Sequence, residues 1–593
     1  MEFLKKLDRL QYGVGLMKGT EQQSTLTSPD ILLKNIKSAS DTSDILMSVK
    51  MHHEIMNDRH IMQAFRSIFN LQKHEHTSLS NGEVARSADF KSLCHELKKQ
   101  IRNLDVSDRI DALKTLSFLG VSATTKIVQI LLHTITRDIG DLSLQQITFF
   151  DFLIKDFENC PLVEALQIAL PIVFDTSLQT KMESDSLQYL TDLLHYATRK
   201  NLSAASLFLI ESLMKKRSEM DFKSARSIIR SICALKVDDV RHRSLLHHAL
   251  DLMVESQSNC TYQDYDILIS KMIPKYLARN YYFYHEEFMN AAINFVIKNN
   301  CGFNESVWML RKATKFGHVS YELLDYLIGK IEVNRKLIED CGGLVLFTLI
   351  RGLSQADYQP PNWRNIEPLV LKNALSQKNK LHPPWIKFVR DLCILGTWST
   401  ELIELIFSPE FQAKCLHDYN LYDHLMLISI YQAVKTLYPM YTGPWPNPQT
   451  IELAAKTNGI HAMESPLRDS LVQGLGDKRC VLNGVSTKLG HFIDHVIAVR
   501  QGGYPVPFTN VDTTTQLFLE DLPRMEDCTV VAIFHLPATA FATNTGKLRG
   551  ATRMMIHTLE CYEVSVAYVN AHTWEQLLDT ERVPFVMSLI KTV

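Results

Sequence analysis

The stretch Thr543–Met555, TNTGKLRGATRMM, sets two glycines, a lysine, two arginines and threonines ahead of a helix-like pattern. Such a set suits an anion, because backbone N–H groups at a glycine turn and a helix start can face phosphate oxygens. A nucleotide P-loop, however, needs GxxxxGK[ST] directly after a strand, so that the loop wraps the phosphates before the lysine reaches them. Here Lys547 follows the first glycine, and Gly550 is followed by Ala-Thr. That order excludes a P-loop. Protein-kinase chemistry is excluded as well, since GxGxxG, HRD and DFG are all missing.

Metal chemistry finds little support. His491 and His495 lie four apart in a strand-like run. At about 3.3 Å per residue they are separated by roughly 13 Å, too far to share one ion. The pairs His52-His53 and His247-His248 have no third ligand near them in sequence. The eleven cysteines are scattered singly, with no CxxC and no zinc spacing, which points to a reducing compartment. No cofactor is expected.

A second set of residues suits nucleic acid. Arg226, Arg230 and Arg241, with Lys215, Lys216, Arg217 and Arg243, fall near helix turns, and the aromatic run Tyr281–Tyr284 follows. Arginines can pair with phosphates while bases stack on aromatic rings. The same residues equally suit a solvated helix face and aromatics packed between helices. The formal net charge of −2 argues against a strong sequence-blind polyanion binder, yet leaves recognition of single-stranded RNA open.

These residues need a scaffold. The chain has 593 residues, 46% apolar and 22% charged, as in globular proteins. Its longest apolar run, GGLVLFTLI, is far short of the roughly 20 residues of a membrane span. Residues 1–90 read as a helical and linker segment. Its first helix carries Phe3, Leu4, Leu7 and Leu10, with acids at Glu2 and Asp8 unlike a mitochondrial presequence; residues 74–89 read as a loop. From about 91 to 410, apolar residues at i, i+3, i+4 and i+7 alternate with short polar turns, as in LSFLGVSATTKIVQILLHTI and LRKATKFGHVSYELLDYLIGKI. The period of roughly 36 to 44 residues is that of helical hairpins, predicting an α-solenoid. After about 440 the texture changes. A helix near 465–476, β-like runs at CVLNGVST, HFIDHVIAVR and YPVPF, a strand CTVVAIFHL, a helix KLRGATRMMIHTLECY and a strand EVSVAYVN predict a small C-terminal α/β domain with the order α-β-β-β-α-β.

The segment Val530–Leu577 resembles the RAP domain that ends members of the FAST-kinase-domain family. Phe541, Asn544, Leu548, Gly550, Leu559, Glu560 and Trp574 fall where that pattern has them, and GHFIDHVIAVRQGGYPVPF resembles the family's Ile-Asp hairpin. The resemblance implies α-helical hairpin repeats over 91–340, helical FAST-like modules over 341–480 and a RAP-like α/β domain over 481–593. It further implies a location in the mitochondrial matrix, binding of single-stranded mitochondrial RNA, and control of transcript processing, stability or translation. Partners would include ribonucleoprotein granules or RNA-processing proteins. Asn544, Lys547, Arg549 and Arg553 would then meet RNA, with the loop-to-helix entry and the helix N-terminus helping to hold a phosphate.

The RAP fold resembles the PD-(D/E)xK nuclease core, in which an Asp on one strand and an acid-x-Lys on the next hold a metal and activate water. Asp494 fits the first acid, but Ile533-Phe534-His535-Leu536-Pro537 supplies neither acid nor lysine. No catalytic residue is therefore expected. A metal-dependent RNA endonuclease would need Asp494 with Glu464 or Asp469. A HEAT-like protein-binding scaffold is the other alternative.

Overall fold

The computed structural model describes residues 30–591 apart from 75–76, 237–239, 378–383, 417–420, 461–464, 510, 512–515 and 524–526. The expected amphipathic helix at Phe3–Leu10 and the acid Glu464 lie outside the described residues. The chain forms two compact units, Met1–Asn259 and Cys260–Val593.

The described residues of the first unit form a stack of packed helices. The stretch expected to be a loop at 74–89 instead contains a short helix, Asn81–Arg86. Ser80 and Glu83 build a capping box there, each side chain satisfying the other's free N–H, and this offsets the Gly82 that favours a loop. Further on, α1 (Leu144–Ile154) packs against α2 (Leu187–Arg199), and α2 against α3 (Phe222–Ile232), which pairs with α4 (Val240–Glu255). The apolar faces of α1 and α2 bury Ile147, Phe150, Leu190 and Leu194 completely.

The second unit continues with helices in two layers. One layer runs α5 (Tyr262–Leu277), α6 (Phe303–Phe316), then, past α7 (Tyr321–Val333) of the other layer, α8 (Gly343–Gln355), α9 (Trp385–Ile394) and α10 (Leu421–Leu437). Within that layer each helix packs on the next. This stacking is what a hairpin repeat must do, because one hairpin cannot bury its own apolar face.

After α11 (Arg468–Leu475) comes a five-stranded sheet: β1 (Leu482–Ser486), β2 (Phe492–Arg500), β3 (Tyr504–Val506), β4 (Cys528–Leu536) and β5 (Ser565–Asn570). Its order is β1-β2-β4-β5, with β3 also on β2. The β2–β4 pair is antiparallel, and β4–β5 is parallel, joined through α12 (Gly550–Glu560). The centre of β4, Val531–Phe534, is an unbroken apolar run because both its faces are buried there. Ala532, Phe534 and Leu536 meet Ile556 and Leu559 of α12, while Val531 and Ile533 meet Leu471 of α11 and Val586 and Ile590 of α13 (Asp579–Lys591). The other side of α12 packs on α8, α9 and α10. The α/β layers and the helical layers thus share α12. Among the described residues, no helix is long and apolar enough to cross a membrane.

Candidate nucleic-acid interface

The loop Phe541–Arg549 is shaped by its own backbone. Phe541 bridges Leu548, the Ala542 N–H donates to the Lys547 carbonyl at 2.8 Å, and the Arg549 N–H donates to that of Ala540 at 2.9 Å. This hairpin presents Thr543 and Asn544 to the last turn of α6. Gly317, at φ +74, closes that helix in the left-handed conformation glycine accepts best. The Thr543 N–H donates to the Gly317 carbonyl at 2.9 Å, and its Oγ1 to the Phe316 carbonyl at 2.7 Å. Asn544 grips Val319 from both sides: its Oδ1 accepts from the backbone N–H at 3.0 Å, and its Nδ2 donates to the carbonyl at 2.8 Å.

The sequence-derived contacts therefore divide. The Asn544 amide is engaged within the molecule. Arg549 is half-buried, its Nε donating to the Phe541 carbonyl at 2.9 Å, and burial lowers its guanidinium pKa. Lys547 is exposed, 5.5 Å over the ring of Tyr321. Arg553, on the first turns of α12, sits 3.6 Å from the carboxylate of Asp357. The start of α12 differs from the phosphate-facing helix end expected. A side chain at Gly550 would overlap the Ser354 carbonyl and Ile394, so this end is packed onto α8 and α9.

Arg226, Arg230 and Arg241 belong to α3 and α4 of the first unit. Arg241 pairs with Glu211, and Arg226 lies 5.9 Å over the Phe222 ring. Of the aromatic run, Phe283 is buried, and Tyr284 donates to or accepts from His318 at 2.9 Å. Tyr281, 60% exposed, is the member left at the surface.

Asp494 lies on β2, where its carboxylate accepts the His535 backbone N–H at 2.7 Å and burial raises its pKa. His491 is held between Thr487 and Thr558 at 2.7 and 2.9 Å, and His495 faces Asn483 at 2.7 Å. Asp469 is exposed on α11. Among the described residues, no group of three His, Cys, Asp or Glu side chains converges on a common point.

Beside the seam lies a cleft of about 320 Å³ between α6, α8 and α9. Arg311 and Lys315 line it from α6, Arg351 from α8 and Lys387 from α9. Phe347 and Phe388 also line it, their ring centroids 4.5 Å apart. The carboxylate in its wall is Asp391, almost fully buried, which accepts from Arg351 Nη1 at 2.6 Å. The Gln355 amide, in the orientation that satisfies it, accepts from Arg351 Nε and donates to the Thr314 carbonyl, both at 3.2 Å. Arg351 is thereby held in place. Arg311 lies 5.3 Å over Trp308, and among the described residues neither Lys315 nor Lys387 forms an ion pair.

Positive charge continues from the cleft toward α12. Burial lowers the guanidinium pKa of Arg390 on α9, with Arg351 acting in the same direction and Asp391 against it. Arg351 likewise adds to the lowering at Arg549. The Arg390 Nε is buried without a partner. Arg351 thus adds to the positive field at both Arg390 and Arg549, with Asp391 the opposing carboxylate at Arg390.

No protein-family model matches the chain, and no curated protein matches it. The cleft residues Arg311, Lys315, Arg351 and Lys387 escaped the reading of the sequence, although a signal existed. Arg351 follows Arg311 by forty residues, and Asp391 follows Arg351 by forty, so the cleft wall recurs with the hairpin period.

Proposed function

We propose that this chain binds single-stranded RNA through the basic cleft of α6, α8 and α9, and regulates the processing, stability or translation of organellar transcripts without catalysis of its own. The observation that carries this reading is the convergence of Arg311, Lys315, Arg351 and Lys387 on one cleft whose wall holds a single carboxylate already paired to Arg351. Phosphates would meet Lys315 and Lys387, and the partly exposed edge of Phe347, backed by the buried Phe388, would offer a base an apolar surface. The resemblance to RAP and FAST-kinase-domain proteins supports the RNA class and the mitochondrial setting, and a nuclease-like core for the α/β layers belongs to the same reading. Asp494 fits a structural role in that core, because its carboxylate closes the end of β4.

Fluorescence anisotropy with a labelled single-stranded RNA of twelve nucleotides tests the proposal. Lys315→Glu with Lys387→Glu, both at exposed positions, should lower affinity at least tenfold. Wild-type binding should weaken with salt with a slope near −0.7 per phosphate contacted. Binding that is absent, or unaffected by the double substitution, overturns the assignment to this cleft. A protein partner captured by the same surface, with no RNA affinity, would favour the scaffold reading.

A further inference from the structure

A second cavity, of about 120 Å³, opens in the first unit between α1 and α2. It shares no residue with the basic cleft. Phe149 and Phe152, both only half-buried, line it from α1, and Tyr196 lines it from α2. An engineered apolar cavity of about 150 Å³ admits benzene, so this recess has the size of one aromatic ring.

Its polar groups are unusual. Asp151 is 1% exposed, and its two oxygens are taken by Lys200 at 2.5 Å and Lys155 at 2.8 Å. Each ammonium has three N–H donors. Beyond the one shared with Asp151, each keeps donors for another acceptor. Burial lowers the Lys155 pKa, and Lys200 and Arg199 lower it further against the pull of Asp151. Even with Asp151 present, the cations still repel one another. The Tyr196 hydroxyl is buried with no hydrogen-bond partner, although its ring is well supported by Phe174 at a centroid distance of 4.7 Å. A buried hydroxyl left unpaired costs about 1–3 kcal/mol, which a purely structural tyrosine avoids by being phenylalanine.

With Arg199 counted, the cations of the lining outnumber its one further carboxylate, Asp192. A ring-sized recess lined by Phe149, Phe152 and Tyr196, whose hydroxyl is unpaired, and two ammoniums with spare donors suit one kind of ligand: an aromatic ring that carries an anion. We infer that this cavity is a nucleotide site, taking the base of a nucleoside monophosphate between Phe149, Phe152 and Tyr196, with its phosphate at Lys155 and Lys200. The same chemistry has two sources, a free nucleotide or an unstacked nucleotide of a single-stranded RNA. The site stands independently of the basic cleft.

Isothermal titration calorimetry of the full chain with AMP, GMP, CMP and UMP, and with the matching nucleosides, tests it. At least one monophosphate should bind, and its nucleoside should bind at least tenfold more weakly. Tyr196→Phe, which removes one oxygen and keeps the packing, should lower that affinity about fivefold, the size of one neutral hydrogen bond. Lys155→Gln should lower it while leaving nucleoside binding unchanged, and circular dichroism should confirm that both variants are folded. Competition by a twelve-nucleotide RNA would identify RNA as the source, and its failure to compete would identify the free nucleotide. Absence of binding by every monophosphate, equal binding of nucleosides, or wild-type affinity in Tyr196→Phe overturns the inference. The double substitution Lys315→Glu with Lys387→Glu should leave nucleotide binding intact, so this site and the cleft fail or succeed separately.

Discussion

Replacing Asn544 by alanine tests whether the loop before α12 serves first as an intramolecular clamp. Its amide makes two hydrogen bonds to the backbone of Val319, at 3.0 and 2.8 Å, and Val319 is 8% exposed. Asn544→Ala strands both the N–H and the carbonyl. A buried group left unpaired costs about 1–3 kcal/mol, and because Thr543 and Thr545 beside it are exposed, solvent recovers part of that. A net loss of about 2–4 kcal/mol follows for the second unit, a large share of the 5–15 kcal/mol typical of a domain. Urea unfolding followed by tryptophan fluorescence should show an earlier midpoint for this unit. Hydrogen exchange should show faster exchange at the Val319 amide. Asn544→Asp keeps an acceptor for the N–H but sets a carboxylate against the Val319 carbonyl, so it should be no better than alanine. A stability change below about 0.5 kcal/mol, with the Val319 amide still protected, would refute the clamp.

Three further outcomes are expected. His318, His491 and His495 are buried with pKa values pushed down to about 4, against an ordinary 6.5, so the unfolded chain takes up protons that the folded one refuses. Stability should therefore be full above pH 6.5 and fall as the pH drops toward 4, by up to about 3 kcal/mol per histidine; a flat urea midpoint from pH 7 to 4.5 contradicts this. Gly317→Ala puts a methyl group onto the Arg549 guanidinium at a φ of +74, where the backbone alone costs about 1–2 kcal/mol; calorimetry should show a lowered transition, restored in part by Arg549→Ala. Asp151→Ala leaves Lys155 and Lys200 unpaired near the core of the first unit and should destabilise it by about 3–5 kcal/mol in urea, with an unchanged midpoint counting against the buried pair.

The helical architecture was legible because its signal is local. Apolar residues at i, i+3 and i+4 mark each helix wherever it lies, and β4 announced itself as CTVVAIFHL. The helix Asn81–Arg86 escaped because polar composition outweighed a Ser-x-x-Glu capping pattern that was present in the sequence. The cleft was harder for another reason. Arg311, Arg351 and Lys387 sit on three helices, and only the stacking of those helices sums their charges. Net charge cannot register such a patch, because acids elsewhere cancel it. Asn544 shows the converse limit. A polar residue beside basic ones in a glycine turn looks available to a ligand, and only the fold reveals that Val319 already occupies its amide.

The seam between Gly317 and the loop at Thr543 has a consequence for how the molecule is made. The hydrogen bond from Thr543 to Phe316 spans 227 residues of chain. Helices α5 to α10 can form and stack as they are synthesised, since their contacts are local and quick to close. The end of α6 and the exposed sides of α8, α9 and α10 still lack their cover at that stage, for α12 comes more than a hundred residues after most of them. Until the ribosome has passed α12, the nascent chain carries an open apolar flank. Chaperone occupancy on this flank, rather than on the already paired first unit, is the signature such an order of assembly leaves.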